Sequence, residues 1–182
     1  MTTGIIDLTG PPGSGKSTIA GHVARTYRRG VHLHTDDFWH AIVAGAIPPH
    51  RPEADDQNHT VLDVIAEAAF TYATGGFTTV VDGIVGPWML HHFQARMDLQ
   101  PRIPVHYIVL FPNREATLSR ATSRKGPNAL TDRQPILDLW DQFADLGQLN
   151  SHAFDTSDET AAETARRVLV AVETEICLLP AT

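Results

Sequence analysis

The octapeptide Gly10-Pro11-Pro12-Gly13-Ser14-Gly15-Lys16-Ser17 constrains this chain more than any other stretch of its 182 residues. It matches G-x-x-x-x-G-K-[ST] in full, between an apolar strand pattern, Ile5-Ile6-Asp7-Leu8, and a helical pattern that begins at Ile19-Ala20 and continues at Val23-Ala24. A strand that turns through glycines into a helix aims backbone N–H groups at one point, and the helix N-terminus adds positive potential there. The Lys16 ammonium is placed to reach the β- and γ-phosphates of a nucleotide, and the Ser17 hydroxyl to reach Mg²⁺. The expected phosphate-binding set is Gly10, Pro11, Pro12, Gly13, Ser14, Gly15, Lys16, Ser17 and Thr18.

Downstream, short apolar runs alternate with longer helical patterns. Strands are expected at Gly4–Thr9, Val31–His34, Phe77–Asp82, Val105–Phe111 and Ala153–Phe154. Helices are expected at about Gly15–Arg28, Asn58–Ala73, Trp88–Met97, Arg114–Ser123, Asp132–Asp145 and Asp158–Leu178, the last capped by Asp158 with Glu159 in its first turn. Strands that alternate with helices pair in parallel through right-handed crossovers, so the expected fold class is α/β: a five-stranded parallel sheet in a three-layer α/β/α sandwich. One domain, residues 1–182, accommodates it. Gly45–Pro52 and the acids Glu53–Asp56 read as loop, within an acceptor-side flap at residues 36–60.

Charge narrows the partners. Net charge is −7, and residues 31–100 hold two basic and nine acidic side chains. Of 14 basic residues, 12 are arginine. An acidic chain without a basic stripe is a poor binder of nucleic acid or membrane surface. With no run of 18 apolar residues and no leader pattern, the expectation is a cytoplasmic protein, monomeric or homodimeric. The single Cys177, in Ile176-Cys177-Leu178-Leu179, fits a buried hydrophobe. The guanine-reading N-K-x-D of GTPases is absent, and helicases and motor ATPases are expected to be longer and basic. Small kinases remain, with ATP and Mg²⁺ as cofactors.

Three further groups carry chemistry. His34-Thr35-Asp36-Asp37-Phe38-Trp39 follows the second strand, at the end of a parallel sheet where ligands bind. A carboxylate there can accept the proton of an attacking hydroxyl; Asp36 is the candidate base, with Asp37 as metal or substrate support. Acids in such a turn also serve simply as helix caps. Asp82, ending the third strand before Gly83, is either a metal-supporting acid or a turn residue. Arg120 and Arg124, four residues apart on one helix face, can approach one ligand as part of a lid at residues 120–132.

With these pieces in order, the chain resembles the P-loop small-molecule kinases: gluconate kinase, shikimate kinase, chloramphenicol phosphotransferase and, more remotely, adenylate kinase. Gly10–Ser17 matches their shared phosphate loop, and Thr35-Asp36-Asp37 is similar to the turn that supplies a candidate base in gluconate kinases and chloramphenicol phosphotransferases. Arg120-Ala-Thr-Ser-Arg124-Lys125-Gly126, followed by Gln142-Phe143, resembles the gluconate-kinase lid and its succeeding helix. The resemblance implies that Arg120 packs on adenine and Arg124 reaches phosphate. It also implies that the Asp155-Thr156 turn lies on the adenine side.

Between Phe38 and Asn58 no sugar-acid or shikimate signature occurs, so the acceptor must be judged from chemistry. A site for a dianionic phosphate uses several arginines, but between Asp36 and Asp82 there is one, Arg51. A neutral or cationic hydroxyl compound fits better: a sugar or antibiotic-like alcohol, walled by Phe38, Trp39 or Trp88. Arg96 and Arg102 keep a sugar acid open. The substrate-side set is Asp37, Phe38, Arg51 and Gly83. A nucleoside or nucleotide kinase, and a nucleotide-binding regulatory ATPase, are the alternatives. Ten histidines include His32 and His34 on one strand face and the adjacent His91 and His92; without C-x-x-C or H-E-x-x-H they read as ordinary polar or core residues.

Overall fold

The computed structural model describes residues 3–124 and 130–180. Five strands, β1 (Ile5–Thr9), β2 (Gly30–His34), β3 (Thr78–Asp82), β4 (Val105–Leu110) and β5 (Ala153–Phe154), form one sheet in the order β2-β3-β1-β4-β5. Every pairing is parallel. Among the described residues seven α-helices connect and flank them: α1 (Lys16–Thr26), α2 (Thr35–His40), α3 (Asp55–Thr74), α4 (His91–Leu99), α5 (Arg114–Thr122), α6 (Arg133–Gln142) and α7 (Ala161–Glu173). The expected three-layer α/β class is observed.

Alternation along the strands builds two cores. Ile6, Leu8, Val80 and Ile108 face α1 and α7, meeting Ile19, Val23 and Val168. Ile5, Val81, Val105 and Tyr107 face α3 and α4, meeting Ile65, Phe70 and Phe93. β1, β3 and β4 are buried along their whole length, as parallel strands covered on both faces must be. Cys177 is buried, and burial raises its thiol pKa to about 11, in keeping with a packing role.

Four local expectations are corrected. The segment after β2 is not a turn: Thr35–His40 folds as a short helix directly off the strand. Its first residue, Thr35, occupies the space beside Gly83, where a Cβ would lie 2.1 Å from the Thr35 hydroxyl. Asp55 and Asp56 are not loop but the first turn of α3, where negative charge meets the positive end of the helix dipole. The expected Trp88–Met97 helix divides into a 3₁₀ turn, Pro87–Met89, and α4. Thr160, not Asp158, caps the last helix: its hydroxyl accepts the Glu163 N–H while Glu163 accepts the Thr160 N–H. Among the described residues no helix is long and apolar enough to cross a membrane.

Candidate functional site

The C-terminal ends of β1, β2 and β3 open into a cleft of about 960 Å³. Its floor is the loop between β1 and α1. Gly13, at φ +81°, lies against α5, where a Cβ would come within 2.6 Å of the Thr117 carbonyl oxygen. The phosphate loop is thereby backed by the helix that carries Arg120. Lys16 Nζ donates to the Gly10 and Pro11 carbonyls at 2.8 and 2.9 Å. Burial lowers the Lys16 pKa to about 8, with Arg124 adding to the shift and the charges of Asp82 and Asp36 opposing it.

Asp82 is the most heavily partnered acid in the cleft. It is 1% exposed; Ser17 Oγ donates to its Oδ2 at 2.5 Å, His32 Nε2 meets Oδ1 at 2.6 Å, and His34 Nδ1 lies 3.0 Å from Oδ1. Burial works against the charge, but hydrogen bonds from His32, His34 and Ser17 outweigh it and hold this carboxyl well below the usual range. The bond to Asp82 raises the His34 pKa in turn, against partial burial. The other nitrogen of His34, Nε2, sits 3.7 Å from Asp36 Oδ2, so one imidazole spans both candidate acids. A charged carboxylate oxygen beside the Ser17 hydroxyl is a hard oxygen pair of the kind Mg²⁺ takes, so the residues fit the expected metal.

The structure brings Pro12, Gly13, Gly15, Lys16, Ser17, Thr18, Asp36, Asp82, Gly83, Arg120 and Arg124 together on the cleft lining. Gly10, Pro11 and Ser14 are buried behind it. Asp37, Phe38 and Arg51 are corrected: none lines the cleft. On a helix, positions three and four apart share a face, so Asp36, Trp39 and His40 look into the cleft while Asp37 and Phe38 turn away. Phe38 packs partly on the core and borders a shallow groove with Val61 and Val64. Arg51 is exposed, and Arg96 pairs with Glu67 at 2.5 Å away from the lining. Asp155 and Thr156 also lie off the lining, but Arg120 reaches the same turn: its guanidinium donates to the Thr156 carbonyl at 3.3 Å and the Ser157 carbonyl at 2.7 Å. Of the lid, Lys125 to Ala129 lie outside the described residues.

Four contributors were not singled out in the sequence as site residues. His32 and His34 clamp Asp82; the readable signal was their period-two spacing on a strand, whose force depends on β2 lying beside β3, with His34 in register with Asp82. Gln57 and Asn58, at the start of α3, hold the flap. Gln57 accepts the Ile47 N–H and donates to the Ile47 carbonyl, at 2.9 and 2.8 Å. Asn58 donates to the Pro49 carbonyl at 2.8 Å and accepts the Trp39 indole N–H at 2.9 Å.

No family model matches this chain, and no curated protein matches it in sequence. Solved structures do match in fold. A tunicamycin resistance protein from Deinococcus radiodurans superposes with a TM-score of 0.67 at 16% identity, covering 98% of this chain and 99% of that one. A shikimate kinase from Acinetobacter baumannii, in complex with shikimate, gives 0.67 at 21% identity over 96% and 95%. A gluconokinase from Sinorhizobium meliloti gives 0.65 at 18% identity over 96% and 94%. The chain therefore shares, over nearly its whole length, the three-layer α/β fold of these structures.

Proposed function

We propose that this protein is an ATP- and Mg²⁺-dependent kinase that transfers the γ-phosphate to a hydroxyl group of a small molecule, with a neutral or cationic sugar or antibiotic-like alcohol favoured over a sugar acid. The observation that carries the reading is the convergence of Lys16, the Ser17–Asp82 pair and Asp36 on one cleft, at the ends of adjacent parallel strands. Such fold neighbours as the shikimate kinase and the gluconokinase support it by analogy.

The roles follow from chemistry. Loop amides and Lys16 hold the triphosphate. Ser17 Oγ and Asp82 Oδ2 would hold Mg²⁺, which offsets charge on the phosphate oxygens. Asp36 accepts the proton of the acceptor hydroxyl as its oxygen bonds to the γ-phosphorus; the bond from that phosphorus to the β–γ bridging oxygen breaks, and ADP leaves. His34, bonded to Asp82 and close to Asp36, fixes the separation of the two acids. Arg124 and Arg120 meet the phosphate and base ends of the nucleotide.

The acceptor end is walled by Trp39, Trp88, Met89, Ile47 and Pro48, with no arginine or lysine among the described lining residues of residues 39–89. That wall suits an uncharged body with hydroxyls and offers a second phosphate the imidazoles of His40 and His50 but none of the arginines such a group normally takes, which disfavours a nucleotide kinase.

The test combines an acceptor screen with one substitution. Sugars, sugar acids, nucleosides and antibiotics are incubated with ATP and the products read by mass. Asp36→Asn is expected to bind ATP as the parent does and to lose transfer by at least about 10²-fold. Unchanged turnover removes Asp36 from the role. Rapid ATP hydrolysis that ignores every acceptor, with no phosphorylated product, overturns the kinase reading in favour of a regulatory ATPase.

A further inference from the structure

A second group of histidines lies outside the cleft, where α3 approaches the start of α4. His59 comes from α3, and His91 and His92 open α4; none lines the nucleotide cleft. We propose that His59, His91 and His92 form a three-imidazole site for a divalent transition metal of the zinc type, joining α3 to α4 beside Trp88 of the acceptor wall.

The geometry carries the inference. One nitrogen of each ring lies within 4.8 Å of one nitrogen of the others, and the ring centroids are 4.1 to 5.4 Å apart. His59 Nδ1 and His92 Nε2 meet at 2.8 Å. Each ring also has an acceptor facing its outer nitrogen: His92 Nδ1 lies 2.7 Å from Asp63 Oδ1, His91 Nδ1 lies 3.1 Å from the Trp88 carbonyl, and His59 Nε2 lies 3.7 Å from Asp55 Oδ1.

Carboxylates and carbonyls only accept, so the Nδ1 of His91 and of His92 carries the proton and each Nε2 keeps its lone pair. His59, with Asp55 facing its Nε2, offers Nδ1 as the third donor. An acceptor behind every ring is the outer arrangement that orients metal-bound histidine and raises its basicity. Without a metal, His59 Nδ1 and His92 Nε2 can share a single proton; a divalent ion replaces that proton and engages both lone pairs.

Zinc–nitrogen bonds of about 2.0–2.1 Å place tetrahedral ligand atoms about 3.3 Å apart, so the 2.8 Å contact must open by about half an ångström, while nitrogens that lie within 4.8 Å of one another must close by at most about 1.5 Å, a shift that imidazole rotation supplies. Three imidazoles select zinc, nickel, cobalt or copper over magnesium or calcium, and leave a fourth position for water. His92 is buried and held by Asp63, while His91 is exposed and gives the ion a way in. The sequence gives no short metal motif because His59 and His92 are 33 residues apart and meet only through helix packing.

The test is a Co²⁺ titration of the untagged full chain, followed by visible absorption. One equivalent is expected to bind with the intense bands of four-coordinate Co²⁺, to be displaced by Zn²⁺, and to raise the melting temperature. Asp63→Asn should weaken binding about 10–100-fold. His91→Ala, on the exposed ring, should abolish the four-coordinate bands in a protein whose melting without metal is unchanged. The double variant His32→Asn/His34→Asn should keep the bands, since it alters only the histidines around Asp82. Absence of stoichiometric binding to the parent overturns the proposal. So do bands that survive His91→Ala or that disappear in the His32/His34 variant, because the metal then sits elsewhere.

Discussion

Lys16 illustrates how one residue couples fold stability to ligand binding with opposite signs. Burial holds its pKa at about 8, below the usual lysine value of 10.5. Between those values the unfolded chain binds more protons than the folded one, so this site makes folding more favourable as pH rises. The phosphates of a nucleotide prefer the ammonium, which the free protein loses over the same window. Affinity for Mg²⁺-free ATP is therefore expected to fall about tenfold between pH 7 and pH 9, while the melting temperature gains from the same titration. Isothermal titration and thermal melts across that range check both, with this contribution to each pH slope missing from Lys16→Met. Parallel pH slopes for the parent and Lys16→Met remove Lys16 as the source. The phosphate loop was legible because its parts are contiguous: eight residues define the turn, the lysine and the hydroxyl. The histidines around Asp82 were not, since their partners lie 48 and 50 residues away and meet only because β2 pairs with β3.

At the scale of elements, the first turns of α3 control the acceptor wall. Gln57 and Asn58 carry four hydrogen bonds to Trp39, Ile47 and Pro49, and so attach the flap to a helix whose later turns are buried in the core. Gln57→Ala releases the Ile47 backbone from two of these, each worth about 1 kcal/mol net. The expected result is a KM for the acceptor raised about 5–30-fold, with ATP affinity unchanged, because the phosphate loop and α5 make no use of this helix end. Steady-state kinetics with the identified acceptor measure it, and an equal rise in both constants contradicts the division of labour. Element types were readable from period and punctuation, whereas several ends and one helix were not. Thr35–His40 is only six residues long and lacks a capping side chain, so no period marks it; Asp36 and Asp37 in its first turn meet the positive end of the helix dipole, and Thr35 packs against Gly83. The capping box at Thr160 was written in the sequence as Thr160 and Glu163, three apart, but Asp158 offered a competing cap two residues earlier.

Over the whole molecule, the central position of β1 turns an unremarked sequence residue into a determinant of stability. Asp7 is fully buried, and neither carboxyl oxygen has a partner among the described residues. It faces the α3–α4 core between Val81 and Tyr107 of the neighbouring strands, and the Tyr107 hydroxyl is committed to the Val85 carbonyl. Nothing in Ile5-Ile6-Asp7-Leu8 disclosed this; it follows from β1 lying inside the sheet with a helical layer on each face. Burial first, and the nearby charge of Asp82 second, raise the Asp7 pKa well above its usual value. The folded chain then holds this proton after the unfolded chain has released it, so the site's contribution is greatest below the unfolded carboxyl pKa near 4 and declines as pH rises toward the folded one. Asp7→Val removes the titration and replaces an unpartnered polar group with a strand-favouring apolar one. At pH 8 it should stabilise the protein by about 1–3 kcal/mol, a rise of roughly 3–10 °C in melting temperature. The gap between variant and parent should widen as pH rises above about 4 and level off once pH passes the pKa of the folded carboxyl, as measured by thermal melts in matched buffers. A gap independent of pH, or a variant less stable throughout, would mean that the Asp7 carboxyl is satisfied in solution and that burial does not hold its proton.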